Sequence, residues 1–508
     1  MAARRPPLLP VAIALVAVVL VAPGPAAATQ ELPVIVVPGL ELADVAALGD
    51  GAAIGLVVPG SGPRITETSA LAALERGAVR NSLRGGLPEG PTLIDVETAP
   101  AIPEGPAIVL GLPEGGDQPN DRRYPIAVIA PGFSGLLTSS STRVPGIVSI
   151  ADVAATALGE PGELSSRPDA DPEAALEALD ERIAANGDVR PLASLLAGLV
   201  ILLLAVVFPR AAVLGFAAAL AVNLVLGAAG VSEPWLVLLA VGVAVGFGAP
   251  ALAALTESPL VVGLLLGGIV VGYLVALLLD GPAISLSPFG PTQNSRFYGL
   301  SNLLSAMLLV PALAGAGLLR ITAGWAPALL LAALALVAIA GSRFGADGGT
   351  GIVLCVAFAV LAVELAEARR RAVVAAVAVA AAAGAAVIAI DAATGGSSHL
   401  TDSIGGGAGS FAADLRDRIV LSWERATERW YLVALVAAGA ILLVLLVARL
   451  RDSGLPRYLR AIPLSLAVAV GVSLLVNDSP LDVVAVGLVA YLAAQAYVGR
   501  DPGLAGFR

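Results

Sequence analysis

Lysine is absent from this 508-residue chain, so all 29 basic residues are arginines, and there is a single histidine and a single cysteine. One cysteine, Cys355, excludes an intrachain disulfide, a redox pair and a zinc site made of several cysteines. Charged residues make up only 13% of the chain, about half the share found in soluble proteins. Apolar residues make up 57%, and the mean hydropathy is +0.90. These values predict a polytopic membrane protein.

The net charge of -10 comes largely from the polar N-terminal third of the chain. Nucleic-acid binding would require a basic patch, which this third lacks. The acidic balance therefore describes a solvated domain, and no nucleic-acid partner is expected.

The first 28 residues have the three parts of a secretory signal. Arg4 and Arg5 precede an apolar run over residues 8–22, and Ala26 and Ala28 form a small-residue cleavage site. This order is typical of a signal peptide, and an uncleaved signal anchor is the alternative. Both interpretations place the polar residues that follow outside the cytoplasm.

Residues 29–165 predict an α/β domain outside the cytoplasm. Short runs rich in valine and isoleucine alternate with turns rich in proline and glycine and with helical pieces. The four clearest runs are LPVIVVPG, AAIGLVVPG, PAIVLG and YPIAVIAPG. The next segment, 166–190, is interpreted as an acidic helical linker whose charges are solvated.

Residues 191–498 predict an all-α transmembrane bundle, followed by a cytoplasmic tail over 499–508. Apolar segments close to the roughly 20 residues that cross a bilayer recur here about eleven times. They cover 192–208, 211–230, 235–255, 259–279, 299–319, 325–341, 350–366, 372–392, 431–448, 461–476 and 481–497.

The arginines of the membrane half indicate its orientation. If the α/β domain lies outside, the loops after odd-numbered spans are cytoplasmic, where the positive-inside rule expects arginine. These loops carry Arg210, Arg320, Arg369, Arg370, Arg371, Arg449, Arg451, Arg457, Arg460 and Arg500. We therefore predict a multi-pass plasma-membrane protein whose polar loops after even-numbered spans share a face with the α/β domain.

Those polar loops contain the candidate binding residues. Charges at membrane depth usually face a bundle interior or a watery cavity. Arg296 and Arg343 are predicted to hold an anion, because a guanidinium matches phosphate or carboxylate, and Tyr298 and Asn302 are predicted to orient it. The pocket is completed by Asp347, Asn477 and Asp478. The alternative is that all of these are loop residues solvated at the interface.

The glycine-rich loop GADGGTG, residues 345–351, opens a predicted span. Free backbone N–H groups at a helix N-terminus attract anions, although a tight turn alone also requires glycine. The loop matches neither a P-loop nor a dinucleotide fingerprint, so nucleotide binding is not indicated. We expect no metal ion and no other cofactor.

His399 is the candidate catalytic residue. Imidazole titrates near neutral pH, so His399 is a possible general base, with Asp402 or Asp391 orienting it. A solvated loop histidine is the alternative.

Two parts of the N-terminal domain resemble the alkaline-phosphatase superfamily. The stretch YPIAVIAPGFSGLLTSSSTRVPGIVSIADVAATAL, residues 124–158, resembles its late strand, Thr/Ser-rich loop and helix. The stretch LPVIVVPGLELADV resembles its first strand, but Pro38 and Gly39 stand near the place of the usual metal-binding aspartate. Because the domain also lacks histidine, the resemblance implies a degenerate fold without metal-dependent phosphatase activity.

The membrane half resembles a family of bacterial polytopic membrane proteins with no assigned reaction. In that family, a phosphatase-like domain of this kind precedes membrane spans that carry four short motifs. The corresponding motifs here are RFYGLSN at 296–302, GADGG at 345–349, SHL at 398–400 and VNDS at 476–479. A weaker similarity is to O-antigen ligases and polymerases, through RFYGLSN and GSRFG. That similarity implies an outer-face site for polyprenyl-linked donors, with arginines holding the diphosphate.

Three classes of function follow from these observations. The first is a cell-envelope protein whose outer-face site handles an anionic or lipid-linked precursor. The second, the main alternative, is a transporter or flippase, although the scarcity of ionisable residues at mid-membrane depth counts against a proton-coupled transporter. The third is a non-catalytic receptor or assembly scaffold that binds envelope proteins through its α/β domain.

Overall fold

The computed structural model describes most of the chain. It covers residues 31–62, 64–79, 90–160, 162–279, 281–291, 297, 299–341, 348–366, 430–476, 480–501 and 504, with the single helical positions 416, 420, 423 and 427. The predicted signal segment, 1–28, and the predicted span 372–392 lie outside the described residues.

The described N-terminal part is an α/β domain. Its strands are β1 (Val34–Val36), β2 (Ala53–Val58), β3 (Arg64–Ile65), β4 (Val96–Thr98), β5 (Ala107–Leu110), β6 (Gln118–Pro119), β7 (Tyr124–Ile129), β8 (Gly135–Ser139), β9 (Ile147–Ser149) and β10 (Leu164–Arg167). Its helices are α1 (Leu42–Ala46), α2 (Glu67–Arg76) and α3 (Ala151–Ala157). The four runs predicted as strands form β1, β2, β5 and β7, which confirms the α/β prediction.

The main sheet is mixed, with the strand order β10-β8-β2-β7-β5-β1-β4 and with β9 also paired to β2. Strand β1 is parallel to β4 and β5, whereas β7 is antiparallel to β2 and β5. A central strand covered on both faces is apolar throughout and does not alternate. Strand β2, AIGLVV, follows this rule because all six of its residues are buried.

Local sequence signals determine the ends of α2. Thr66 precedes the helix, and its hydroxyl accepts the N–H of Ser69 at 3.1 Å, while the Ser69 hydroxyl accepts the N–H of Thr66 at 3.0 Å. This reciprocal cap satisfies two backbone donors that a helix start leaves free. Gly77 ends the helix with a left-handed φ of 56°, a conformation that glycine adopts at little cost.

Two apolar clusters cover the two faces of the sheet. The distal cluster, which includes Leu74 of α2 and Val153 of α3, covers one face. The junction cluster covers the other face and includes Leu176, Leu286 and Phe297, which come from the chain beyond the α/β domain. The second face of the sheet is therefore covered in part by the membrane half.

The described C-terminal part is helical. It contains α4 (Pro172–Val207), α5 (Pro209–Ala229), α6 (Pro234–Leu255), α7 (Pro259–Leu278), α8 (Pro282–Ser285), α9 (Asn302–Ala323), α10 (Trp325–Ala340), α11 (Gly348–Leu365), α12 (Trp430–Arg451), α13 (Arg457–Val476) and α14 (Pro480–Arg500). Helix α6 includes a π-helical turn at Ala244–Gly248.

Eight of the described helices are long and apolar enough to cross a membrane, namely α4 to α7, α9 and α12 to α14. Helices α10 and α11 are shorter and apolar. Each predicted span except 372–392 coincides with one of these ten helices. The chain is therefore a multi-pass membrane protein, but the predicted total of about eleven spans is not confirmed.

Helix α4 is continuous across the predicted boundary between linker and first span. Asp171 caps its start by accepting the N–H of Ala174 at 3.2 Å, Pro172 is its first residue, and Pro191 lies inside it. At 1.5 Å per residue, its 36 residues extend about 54 Å, well beyond the roughly 30 Å hydrocarbon core. The acidic segment is thus a helical extension of the first span.

Helix α9 lies at the centre of the described bundle. In its apolar window, 89% of the residues are buried, the largest share among the candidate spans. Glycines permit this close packing: a Cβ at Gly317 would lie 2.6 Å from the side chain of Ile462. Burial begins at Leu304, whereas Asn302 at the start of α9 is only partly buried.

An ion pair joins α5 to the end of α14 at the bundle end remote from the α/β domain. The Arg210 Nε and Nη2 atoms donate to the two Asp501 carboxylate oxygens at 2.6 and 2.9 Å. Arg210 also donates to the carbonyl of Thr256. The Asp501 side chain is only 2% exposed, so this pair forms in a largely water-free setting.

Candidate functional site

Among the predicted binding residues, Asn302 lies in the described part of the chain. It is the first residue of α9, directly after the capping residue Ser301, and it is partly buried. The remaining candidates lie outside the described residues, namely Arg296, Tyr298, Arg343, Asp347, His399, Asp402, Asn477 and Asp478. The convergence of these residues on one pocket therefore stays a prediction.

The segment 281–291, which leads toward the RFYG motif, is held by three side chains of α4. Arg182, Asn186 and Arg190 are spaced by four residues and so share one helix face. Their side chains donate to backbone carbonyls at 2.5 to 3.4 Å. The accepting residues are Gly227, Leu286, Pro288 and Pro291.

This contact corrects part of the interpretation of 166–190 as a solvated charged linker. Glu177, Glu181 and Asp188 are exposed as expected, but Asn186 is only 4% exposed and Arg182 is half-buried. The solvated-face interpretation does not hold for Arg182, Asn186 and Arg190, because their side chains bond backbone carbonyls of the bundle. The sequence signal for this contact was the four-residue spacing of Arg182, Asn186 and Arg190, which places the three side chains on one helix face.

A buried amide anchors the same segment to the bundle. Asn223 of α5 is fully buried, and its Nδ2 donates to the hydroxyls of Tyr273 at 3.1 Å and Ser287 at 3.0 Å. Its Oδ1 accepts the N–H of Phe289 at 2.9 Å, and Ser301 donates to the Phe289 carbonyl at 2.6 Å. The bond to Tyr273 joins α5 to the neighbouring helix α7.

The α/β domain is attached at this same end of the bundle. Leu286 and Phe297 are 6% and 2% exposed and belong to the junction cluster beneath the sheet. Arg123, whose side chain is 3% exposed, forms an ion pair with Asp180 of α4. Phe297, the second residue of the RFYG motif, therefore has a packing role between the sheet and the bundle.

A second polar cluster organises the Thr/Ser-rich loop of the α/β domain. The hydroxyl of Ser139 and the hydroxyl and N–H of Ser141 donate to the Asp152 carboxylate, the latter two at 2.6 and 3.2 Å. Asp152 is 7% exposed. Burial raises the pKa of Asp152, and the hydrogen bonds from Ser139 and Ser141 oppose this shift only in part. The cluster fixes the loop between β8 and β9.

We expect Asp152 to contribute a pH dependence to stability. Its raised folded-state pKa means that the folded chain binds this proton more tightly than the unfolded chain. The stabilising contribution is thus complete below the ordinary carboxyl pKa of about 4 and is lost as pH rises through the folded-state pKa. The measurement is the difference in melting temperature between the purified full-length wild type and Asp152→Asn. This difference, wild type minus variant, should decrease as pH rises over this window. The exposed control Asp121→Asn should show no such trend, and a flat difference for Asp152→Asn would contradict the assignment.

The turn after β1 stands where the resemblance to phosphatases would require a metal-binding aspartate. Gly39 has a left-handed φ of 66°, and its N–H donates to Glu114 Oε1 at 2.6 Å. Within the described ranges, no group of three or more His, Cys, Asp and Glu side chains is placed to hold a metal ion.

Comparisons of the chain with known protein families, with curated protein sequences and with solved structures found no match.

Proposed function

We propose that the protein is a plasma-membrane protein of the cell envelope whose polar site handles an anionic or lipid-linked precursor. The site would lie on the face that carries the α/β domain. The supporting observation is the position of Phe297, which is buried beneath the sheet five residues before the central helix α9 begins. Arg296 and Tyr298 are its sequence neighbours, so the proposed site is beside this junction.

The described arginines of the junction support the choice of Arg296 and Arg343 as the anion-binding pair. Arg182 and Arg190 donate to backbone carbonyls, and Arg123 pairs with Asp180. These three cations serve to join the α/β domain, α4 and the 281–291 segment. Arg296 and Arg343 are two further arginines in the predicted outer-face loops, and the forked donors of arginine suit a diphosphate.

The proposed orientation is supported by the distribution of arginine between the two bundle ends. Arg210, Arg320, Arg449 and Arg500 lie at helix ends remote from the 281–291 segment. The positive-inside rule makes that end cytoplasmic. The α/β domain would accordingly face the outside of the plasma membrane, with the C-terminus in the cytoplasm.

A receptor or assembly scaffold is the second candidate function. It is favoured by the direct packing of the sheet on α4 and on Leu286, which would connect a partner bound to the α/β domain with the bundle. A transporter or flippase would instead require a site accessible alternately from both sides.

The proposal predicts that Arg296 and Arg343 each contribute to the binding of a polyprenyl diphosphate. Alanine at either position should weaken binding about tenfold, because a charge-assisted hydrogen bond contributes about 1.5–3 kcal/mol. Native mass spectrometry of the detergent-purified protein would measure binding, with the polyprenyl alcohol as the control for the apolar tail.

Arg449→Ala is the matched control, since Arg449 is an exposed arginine at the other end of the bundle. It should leave the affinity unchanged. Equal binding of the diphosphate by the wild type, Arg296→Ala and Arg343→Ala would overturn the proposed site. If binding holds, transfer of a fluorescent polyprenyl diphosphate between leaflets of reconstituted vesicles would favour a flippase over an enzyme.

A further inference from the structure

A cleft of about 400 Å³ opens in the α/β domain between the start of β1, the residues before β4 and the end of α3. This volume is within the range of pockets that bind small molecules or side chains, which extends from about 300 to 1,000 Å³. Leu32 and Ile94 line the cleft and belong to the distal cluster. The cleft consequently lies on the side of the sheet opposite the junction with the bundle.

The apolar surface of the α/β domain is concentrated at this cleft. Leu93 is 48% exposed and Leu158 is 39% exposed, and both line it. In the described part of residues 31–171, no other large apolar side chain is exposed to this degree. Exposed apolar side chains grouped in a concave, partly polar surface are typical of protein-binding sites.

The charges at the cleft are both negative. Glu31 and Asp95 line it and are exposed, and neither takes part in an ion pair within the described ranges. Among the described residues, no arginine lines the cleft. Two carboxylates without a counter-ion attract a cationic ligand and disfavour an anionic one.

We propose that this cleft binds a peptide segment of a partner protein in which leucine-sized and arginine or lysine residues are adjacent. The apolar side chain would contact Leu93 and Leu158, and the cation would face Glu31 and Asp95. Because the cleft lies on the sheet face away from the bundle, the partner reaches it from the aqueous phase. This interaction is separate from the anion site proposed above and does not depend on it.

The test is the binding of a fluorescent Leu-Arg-Leu-Arg peptide to the full-length protein in nanodiscs of zwitterionic lipid, followed by anisotropy. We expect saturable binding that empty nanodiscs lack, and no binding of a Leu-Glu-Leu-Glu peptide. The double variant Glu31→Gln, Asp95→Asn should weaken binding about fivefold, as expected for two exposed charge pairs. Leu93→Ser with Leu158→Ser should weaken it to a similar extent.

The matched control is the double variant Glu104→Gln, Asp121→Asn, which removes the same charge from exposed positions outside the cleft. It should bind the peptide like the wild type. Absence of saturable binding, equal binding of the acidic peptide, or unchanged affinity in both cleft variants would each overturn the proposal.

Discussion

Replacing Asp501 with alanine is expected to lower the free energy of unfolding by about 3 kcal/mol. The substitution leaves the partly buried Arg210 side chain, which is 16% exposed, without the carboxylate that it pairs with. It also removes one link between α14 and α5, two helices that are far apart in sequence and adjacent in the bundle. A denaturant titration of the purified protein in mixed micelles would measure the loss.

The double variant Arg210→Leu, Asp501→Leu separates the charge effect from general damage to this end of the bundle. It removes both charges, so it should unfold within about 1 kcal/mol of the wild type, as is common when a buried pair is replaced by apolar residues. If Asp501→Ala were as stable as the wild type, the ion pair would have no part in holding the two helices together.

Replacing Asn223 with leucine is expected to lower the free energy of unfolding by about 3 kcal/mol. The substitution removes both the donor and the acceptor of a fully buried amide. The N–H of Phe289 loses its acceptor, and the hydroxyls of Tyr273 and Ser287 lose their donor. Leucine fills a similar volume, so the lost stability comes from polar contacts and not from a cavity. The same denaturant titration in mixed micelles measures the lost stability.

Tyr273→Phe is the graded control for this network. It removes the hydroxyl that donates to the Leu220 carbonyl and accepts from Asn223 Nδ2, each at 3.1 Å. Asn223 still donates to the Ser287 hydroxyl and accepts the N–H of Phe289. The expected cost is about 1 kcal/mol. A larger cost for Tyr273→Phe than for Asn223→Leu would mean that Asn223 does not anchor the 281–291 segment.

The two stability predictions concern opposite ends of the bundle, and only Asn223 is close to the proposed site. Through Phe289 and Ser301, it connects α5 with the start of α9, where Asn302 lies. Asn223→Leu should therefore also weaken polyprenyl diphosphate binding if the site is beside the junction. Asp501→Ala should affect stability while leaving the affinity of the remaining folded protein unchanged.

The sequence predicted strands β1, β2, β5 and β7 and most helices because their signals are local. Runs such as YPIAVIAPG contain enough apolar and β-branched residues to define a strand between turns. Strands β4 and β9 have three residues each, and such short strands exist only through their pairing with β1 and β2. Arg296 and Tyr298 of the RFYG motif were predicted to bind an anion, but the motif gave no sign that Phe297 packs beneath the sheet.

By itself, the sequence determined that the protein has a polar α/β domain followed by a multi-pass helical bundle. Composition and apolar segment length are properties of consecutive residues, so no knowledge of packing was needed. Tertiary structure alone decided that Arg182 and Arg190 contact the 281–291 segment and that Phe297 lies under the sheet. It also decided that Arg210 pairs with Asp501 across 291 residues of chain. These partners depend on which helices are neighbours, and helices with similarly apolar surfaces do not specify their neighbours through local sequence.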